Sequence, residues 1–317
     1  MDYITLNGTD MKVSKVALGT ATFGKDADEA TSFAVMDRFL ANGGNLIDTA
    51  VMYADWLPGE KSSSEKTIGK WMKSRGNRKD VIISTKGGHP QWDKMEISRL
   101  SEADIMSDIQ KSLANLQTDY IDIYFLHRDD KSIPVGDIMD VLHKIVSSGK
   151  ARSIGLSNWC TERIAQANEY CKSKGITPIT SSQIQFGIAH PNPDKIDPTT
   201  EFMSKDAFEY YKSAGLNLLS FSSQSGGYFF MQNEDGSPKN NPFYDNKKSR
   251  EMFYKVKEMS KKYSCSVGAV IVSALSSNPY FNTIPIIGCM TEGQVDDSMA
   301  GLNIEMCEED VKALILR

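Results

Sequence analysis

Asn45-Leu-Ile-Asp-Thr-Ala-Val-Met-Tyr53 reads as a short apolar strand running into a loop that carries an acid and, five residues on, a phenol. Leu46 and Ile47 form the buried strand body, and Asp48 stands where that strand ends, so its carboxylate is presented at a rim. Three later stretches end the same way: Val81-Ile-Ile-Ser-Thr-Lys86 in a lysine, Tyr120-Ile-Asp-Ile-Tyr-Phe-Leu-His127 in a histidine, and Arg152-Ser-Ile-Gly-Leu-Ser-Asn158 in a Ser-Asn pair. Taken singly, an Asp after a strand caps the next helix, a Lys is solvated and a His is an ordinary surface or core residue. Taken together, four successive strands deliver a titratable or amide group just past the last apolar residue. A parallel barrel gathers such strand ends at the one face where its active site lies.

The rest of the chain supports an α/β reading. At 317 residues it is long for one domain, yet a (β/α)8 TIM barrel with insertions reaches this size, and a single domain over residues 1–317 is expected. Hydrophobic residues at 40% and charged ones at 24% are ordinary globular values, and a net charge of -5 leaves no basic footprint for nucleic acid. No apolar run approaches a membrane span and the N-terminus lacks signal-peptide regions, so a soluble, cytoplasmic protein is expected. The five cysteines are odd in number and widely spaced, without a ligand-like pairing to the four histidines, which disfavours disulfides and a metal.

Asn7-Gly8 between two alternating runs predicts an N-terminal β-hairpin that plugs one barrel end. Val16-Ala-Leu-Gly19 is the first barrel strand, and a helix follows over about Asp28 to Asn42, with Phe33, Met36, Phe39 and Leu40 at helical spacing. Further stripes are Ile68, Trp71 and Met72 ahead of Gly76; Ile105, Ile109, Leu113 and Leu116; and Ile138, Val141, Leu142 and Ile145. Ser181–Gln185, Leu216–Phe221 and Phe281–Gly288 complete about eight strands, the number that closes such a barrel. Val311, Leu314 and Ile315 mark a closing amphipathic helix. Long strand-to-helix loops at the active-site face, over Tyr53–Ser64, Gly87–Glu102 and Ser222–Asn246, are of the length that carries function.

The order Asn-Leu-Ile-Asp-Thr-Ala-x-x-Tyr, strand-Lys86, Asp119-Tyr-Ile-Asp-x-Tyr-x-Leu-His127 and Gly155-Leu-Ser-Asn158 resembles the aldo-keto reductase superfamily, in particular its bacterial-type sugar and general carbonyl reductases. Gly149-Lys-Ala-Arg-Ser-Ile-Gly155, Gln183 and Ile284-Pro-Ile-Ile-Gly288 extend the likeness over nearly the whole chain. The resemblance implies a nicotinamide cofactor, NADP or NAD, bound without a Rossmann domain.

The chemistry of four residues fits that role. Carbonyl reduction needs a positioned acid for the developing alkoxide. Tyr53 is that candidate; a phenol's pKa of about 10 is high for the task, and Lys86 is the cation that could lower it. Asp48 would anchor the flexible lysine, and His127 would donate to the substrate oxygen. By the resemblance, Ser157, Asn158 and Gln183 hold the nicotinamide carboxamide, Phe221 stacks on the ring, and Ser222, Gln224, Ser225 and Gly226 cradle the pyrophosphate, with Thr20 and Gly288 beside them. Met290 stands where some relatives have Arg, Gln294 where others do, Asp297 where an acid meets the adenine, and Ser298 replaces a usual Asn. With no cation in that run, and Glu292 repelling a 2'-phosphate, NAD or dual use is expected more than is usual for the family, while the resemblance itself still implies NADP first.

Trp56, Trp92, Arg128 and Tyr228 are the expected substrate-pocket walls. Asp55, Asp129 and Asp130 near the same rim tilt the reading toward a small-molecule carbonyl bearing hydroxyls, such as a sugar. Two other functions are compatible with such a barrel: a cofactor-binding regulatory subunit with little turnover, and a glycosidase. No Glu ends a predicted strand, which disfavours the second. Oligomeric state has no signature.

Overall fold

The alternation of apolar runs and amphipathic segments closes, in the computed structural model of the chain, into a barrel; residues 3–316 are described. A hairpin of β1 (Tyr3–Thr5) and β2 (Lys12–Ser14) comes first, turning at Gly8 with φ +77°. The barrel strands are β3 (Ala17–Gly19), β4 (Leu46–Asp48), β5 (Ile82–Gly87), β6 (Ile121–Leu126), β7 (Ala151–Ser157), β8 (Ser181–Gln185), β9 (Asn217–Phe221) and β10 (Thr283–Gly288). They pair in chain order, all parallel, and β10 pairs with β3 to close the ring. A parallel sheet covered on both faces needs continuous apolar strands, and every residue of β6 is buried accordingly.

The hairpin plugs the barrel as expected. Leu6, Met11 and Val13 are buried against Ala17, Leu46, Ile123, Phe125, Leu219 and Ile284 inside the barrel. Ala17 and Leu46 open their strands, so the plug closes the end opposite the strand termini where Asp48 lies. That seal leaves a single mouth for chemistry.

The outer layer comprises α1 (Glu29–Ala41), α2 (Ser63–Arg75), α3 (Glu102–Leu116), α4 (Val135–Ser147), α5 (Thr161–Lys174), α6 (Lys205–Ala214), α7 (Lys247–Lys262), α8 (Val267–Ser276), α9 (Glu292–Ala300) and α10 (Glu308–Ile315). Their starts follow capping chemistry: Asp28, Ser101, Ser204, Asn246 and Ser266 each accept a backbone N–H from the first turn. The apolar stripes read from sequence face inward, among them Ile68, Trp71 and Met72 in α2 and Ile138, Val141, Leu142 and Ile145 in α4. Between β9 and β10 the chain departs from the one-strand, one-helix rhythm by inserting both α7 and α8. Gly268–Leu275 of α8 are all buried, so this helix is apolar all round and carries no periodic stripe to announce it.

Candidate active site

At the open mouth, Asp48 ends β4, Lys86 is the penultimate residue of β5, and His127 follows β6. Backbone hydrogen bonds from Thr49 N–H to Ser84 O (2.8 Å) and Val51 N–H to Lys86 O (3.0 Å) carry the chain on beside β5. A turn then closes with Tyr53 N–H to Ala50 O (3.1 Å) and lays the phenol over the lysine. Lys86 Nζ donates to Asp48 Oδ2 (2.7 Å), Thr49 O (2.8 Å) and Tyr53 Oη (2.9 Å), which uses all three of its protons. Asp48 Oδ1 accepts from Ser84 Oγ (2.8 Å) and Gln183 Nε2 (2.9 Å). The ammonium is fully buried and the carboxylate nearly so.

Burial sets the electrostatics. It raises the Tyr53 phenol above its ordinary 10; Lys86 pulls it down and Asp48 pushes it up. The sequence-based expectation of a net lowering by Lys86 is therefore corrected: the cation acts in the foreseen direction, but loss of water outweighs it. Burial also opposes the charge on Lys86, yet Asp48 and Tyr53 together hold it above its ordinary value. His127 lies well below 6.5 because of burial, with Arg128, His89 and Lys86 adding to the effect, so it is neutral at pH 7. Its Nδ1 has no hydrogen-bond partner among the described residues, and its ring lies 5.9 Å from that of Tyr53 at 68°.

A second imidazole stands beside it. His89 is buried, 4.8 Å from His127 between ring centroids; its Nδ1 is 2.5 Å from Pro90 O and its Nε2 has no partner among the described residues. Nothing in the sequence around it but its place three residues past Lys86, in the long loop that carries Trp92, marks His89 as part of the site. Burial foremost, then Arg128, hold His89 to about 4 instead of 6.5. Between those values the unfolded chain takes up a proton that the folded one refuses, so stability falls as pH drops through that window. At about 1.4 kcal/mol per pH unit, this one group accounts for about 3 kcal/mol. His89→Gln is therefore expected to flatten the loss of urea-unfolding free energy between pH 6.5 and 4; an unchanged slope would show that His89 titrates normally.

Rings line the mouth. Tyr53, Trp56, Trp92, His89 and His127 form a closed circuit, each centroid 4.7 to 6.4 Å from the next. Trp56 and Trp92 are exposed at the rim. Tyr228 is not a wall: it is fully buried against Phe229, Tyr244 and Phe253. Gly226 and Gly227, at φ +56° and +81°, turn the loop into a short 3-10 segment (Ser225–Phe230) that drives Tyr228 inward and leaves Phe230 outside. Arg128 braces rather than lines the mouth, donating to Thr199 Oγ1 and His127 O and pairing with Asp197. The nearby acids are likewise engaged: Asp55 accepts from Ser62 N–H, Asp129 pairs with Arg163, and Asp130 accepts from Ser132.

From Tyr53 a cavity of about 480 Å³ runs outward along Thr20, Phe221, Ser222, Gln224, Gly226, Gly288 and Met290. A second, of about 350 Å³, shares Gln224 and Gly288 with it and adds Gln294, Asp297 and Ser298. Ser157, Asn158, Gln183 and Ser225 are buried, and none of them lines either cavity. Asn158 is already satisfied, giving its amide protons to His127 O and Ser157 Oγ and accepting from Glu201 N–H, so it ties strand ends together and a direct grip on a carboxamide is not what the geometry displays. Ser225 is buried, and its Oγ has no partner among the described residues.

The groove suits an extended dinucleotide. A Cβ at Gly227 or Gly288 would meet no atom within 4 Å, and one at Gly226 only Tyr244 Cε2 at 3.9 Å, so ligand atoms can approach this backbone closely. Ser222 and Ser225 hold φ +51° and +53°, a conformation that costs a non-glycine residue on the order of 1 kcal/mol and is kept at ligand clamps. Among the described residues, no group of three His, Cys, Asp or Glu side chains could hold a metal, and no helix is long and apolar enough to cross a membrane.

The sequence profile of the Aldo/keto reductase family matches residues 15–315. The chain belongs to the aldo/keto reductase family. Relatives include the norsolorinic acid reductase stcV of Emericella nidulans, 29% identical over 95% of this chain and 77% of that protein. The oxidoreductase YrpG of Bacillus subtilis is 28% identical over 99% of this chain and 95% of its own. An aryl-alcohol dehydrogenase [NADP(+)] of Phanerodontia chrysosporium is 31% identical over 57% of this chain and 50% of its own. This aldo-keto reductase is accordingly an NAD(P)H-dependent oxidoreductase of carbonyl and alcohol groups.

Proposed function

We propose that this aldo-keto reductase, a single domain over 1–317, interconverts a planar aromatic aldehyde or ketone and its alcohol, with Tyr53 as proton donor. The observation that carries the reading is Lys86 Nζ held between Asp48 and Tyr53 at 2.7 and 2.9 Å, at the head of the groove. The nicotinamide, when bound, supplies the hydride. Tyr53, with its phenol above the ordinary range, rests fully protonated at neutral pH and is ready to give that proton to the nascent alkoxide. Lys86 then faces the phenolate at hydrogen-bond distance and limits the cost of its charge, while Asp48 keeps the ammonium from swinging away. His127, neutral, can orient the carbonyl oxygen without competing for the proton. The glycines at 226, 227 and 288, with Ser222 and Gln224, would hold the dinucleotide, and Phe221 would face its ring.

The choice of an aromatic substrate over a sugar rests on the circuit of five rings, together with the engagement of Asp55, Asp129 and Asp130 elsewhere. A sugar would find few free carboxylates there, whereas a flat ring buries apolar area against the exposed faces of Trp56 and Trp92. Five free thiols suit a reducing compartment, the cytoplasm. Following reduced-cofactor absorbance with benzaldehyde-type substrates and aldoses tests the proposal. Burying one phenyl ring is worth about 2 to 3 kcal/mol, so kcat/KM is expected to favour the aryl aldehyde by about 10²-fold. Equal values, or a preference for aldoses, would return the reading to hydroxylated substrates.

A further inference from the structure

Within residues 288–298 the sequence contains no cation, yet folding brings one to that end of the groove from another element. The second cavity continues into a third of about 560 Å³, sharing Phe230, Gln294 and Asp297 with it, and the third is lined by Lys257 of α7. We propose that Lys257 is the cation that reads the 2'-phosphate of the nucleotide, so that the chain takes NADPH in preference to NADH. This rests on the reductase reading of the groove.

Three observations support the assignment. First, the ammonium has no counter-charge: Lys257 Nζ donates to Gln232 Oε1 and to Gly236 O (3.1 Å), both neutral oxygens, and among the described residues no carboxylate pairs with it. The side chain is only half-buried and lies over the Phe253 ring, 4.7 Å from its centroid, so a dianion can meet it without first displacing a counter-charge.

Second, two of the three acids of α9 are turned away from that space. Asp296 takes the Arg38 guanidinium of α1 at 2.6 and 2.8 Å, and Glu292, one turn earlier on the same helical face, also acts on Arg38. The repulsion expected of Glu292 is therefore directed to the α1 side. Asp297 does line the cavity, but its carboxylate packs at the start of α8, where a Cβ on Gly268 would stand 2.2 Å from Oδ2. Third, Met290 and Gln294 are occupied with each other: Met290 N–H donates to Gln294 Oε1 at 2.6 Å, and Thr291 Oγ accepts from Gln294 N–H at 3.2 Å. The positions where relatives carry arginine thus hold the loop in shape and leave charge recognition to α7.

The test is nucleotide binding to the full chain in the absence of substrate, read by fluorescence titration with NADPH and NADH on the parent protein, K257M and K257R. A charge-assisted contact of this kind is worth about 10- to 100-fold in affinity. The parent is expected to bind NADPH tighter than NADH by that factor, with the advantage shrinking as salt rises. K257M is expected to lose the ratio while keeping its NADH affinity, which also reports that it is folded, and K257R to retain most of it. Equal affinities in the parent, or an unaltered ratio in K257M, would overturn the assignment while leaving the reductase reading intact. Failure of the parent to bind either nucleotide would instead overturn the groove as a cofactor site, and this inference with it.

Discussion

Tyr53→Phe is expected to lower kcat for carbonyl reduction by about 10²- to 10⁴-fold, the usual contribution of a positioned general acid, while the affinity for reduced nicotinamide stays close to that of the parent. The phenol ring and its contacts with Trp56 and His127 survive the change, so the mouth keeps its shape; only the hydroxyl within 2.9 Å of Lys86 Nζ is removed. The variant therefore separates proton delivery from binding. Steady-state turnover together with fluorescence titration of the cofactor makes the measurement, and turnover near the parental rate would remove Tyr53 from the mechanism. Because burial keeps the phenol above 10, the parental reduction rate should show no loss from Tyr53 ionisation between pH 6 and 9.

The second large effect is on stability. Lys86→Met leaves Asp48 as a buried carboxylate whose only remaining side-chain donors are Ser84 and Gln183 among the described residues, and breaking such a pair costs about 3 to 5 kcal/mol. Combining it with Asp48→Asn removes the stranded charge, so the double variant is expected to recover much of that loss while remaining inactive. Denaturant unfolding of the two single variants and the double one gives the coupling directly. A Lys86→Met protein as stable as the parent would show that the buried pair adds nothing to stability. Since Lys86 is held above its ordinary 10.5, the parental contribution should persist through neutral pH and be lost only as pH rises past that value.

These two variants act on residues that the sequence alone brings into view, and the reason is local. A short apolar-rich stretch that gives way to a polar group at Asp48, Lys86 or Ser157 identifies both a strand and its terminus. Parallel order in a closed barrel then carries every such terminus to the same rim, whatever the loops do. The hairpin plug, the inward stripes of α2 and α4 and the capping residues are legible for the same reason, since each depends on neighbours within a few positions. Long, ordered motifs add the family.

What depended on the tertiary structure is everything that sums over distant neighbours. The acidity of Tyr53 is decided by how much water the mouth excludes, which no pairing of Tyr53 with Lys86 in the sequence could weigh. His89 becomes part of the site because its loop folds back on His127. Tyr228 leaves it because left-handed backbone at Gly226 and Gly227 reverses the loop. Asn158 is spent on His127 and Glu201, and Lys257 reaches the far end of the groove from a helix whose charge pattern is otherwise that of a solvated surface. The chain's local pattern determined which groups stand at the rim of the barrel; only packing decided their charge states, their free hydrogen-bonding atoms and the company they keep, because desolvation and through-space contact are set by residues far apart in sequence.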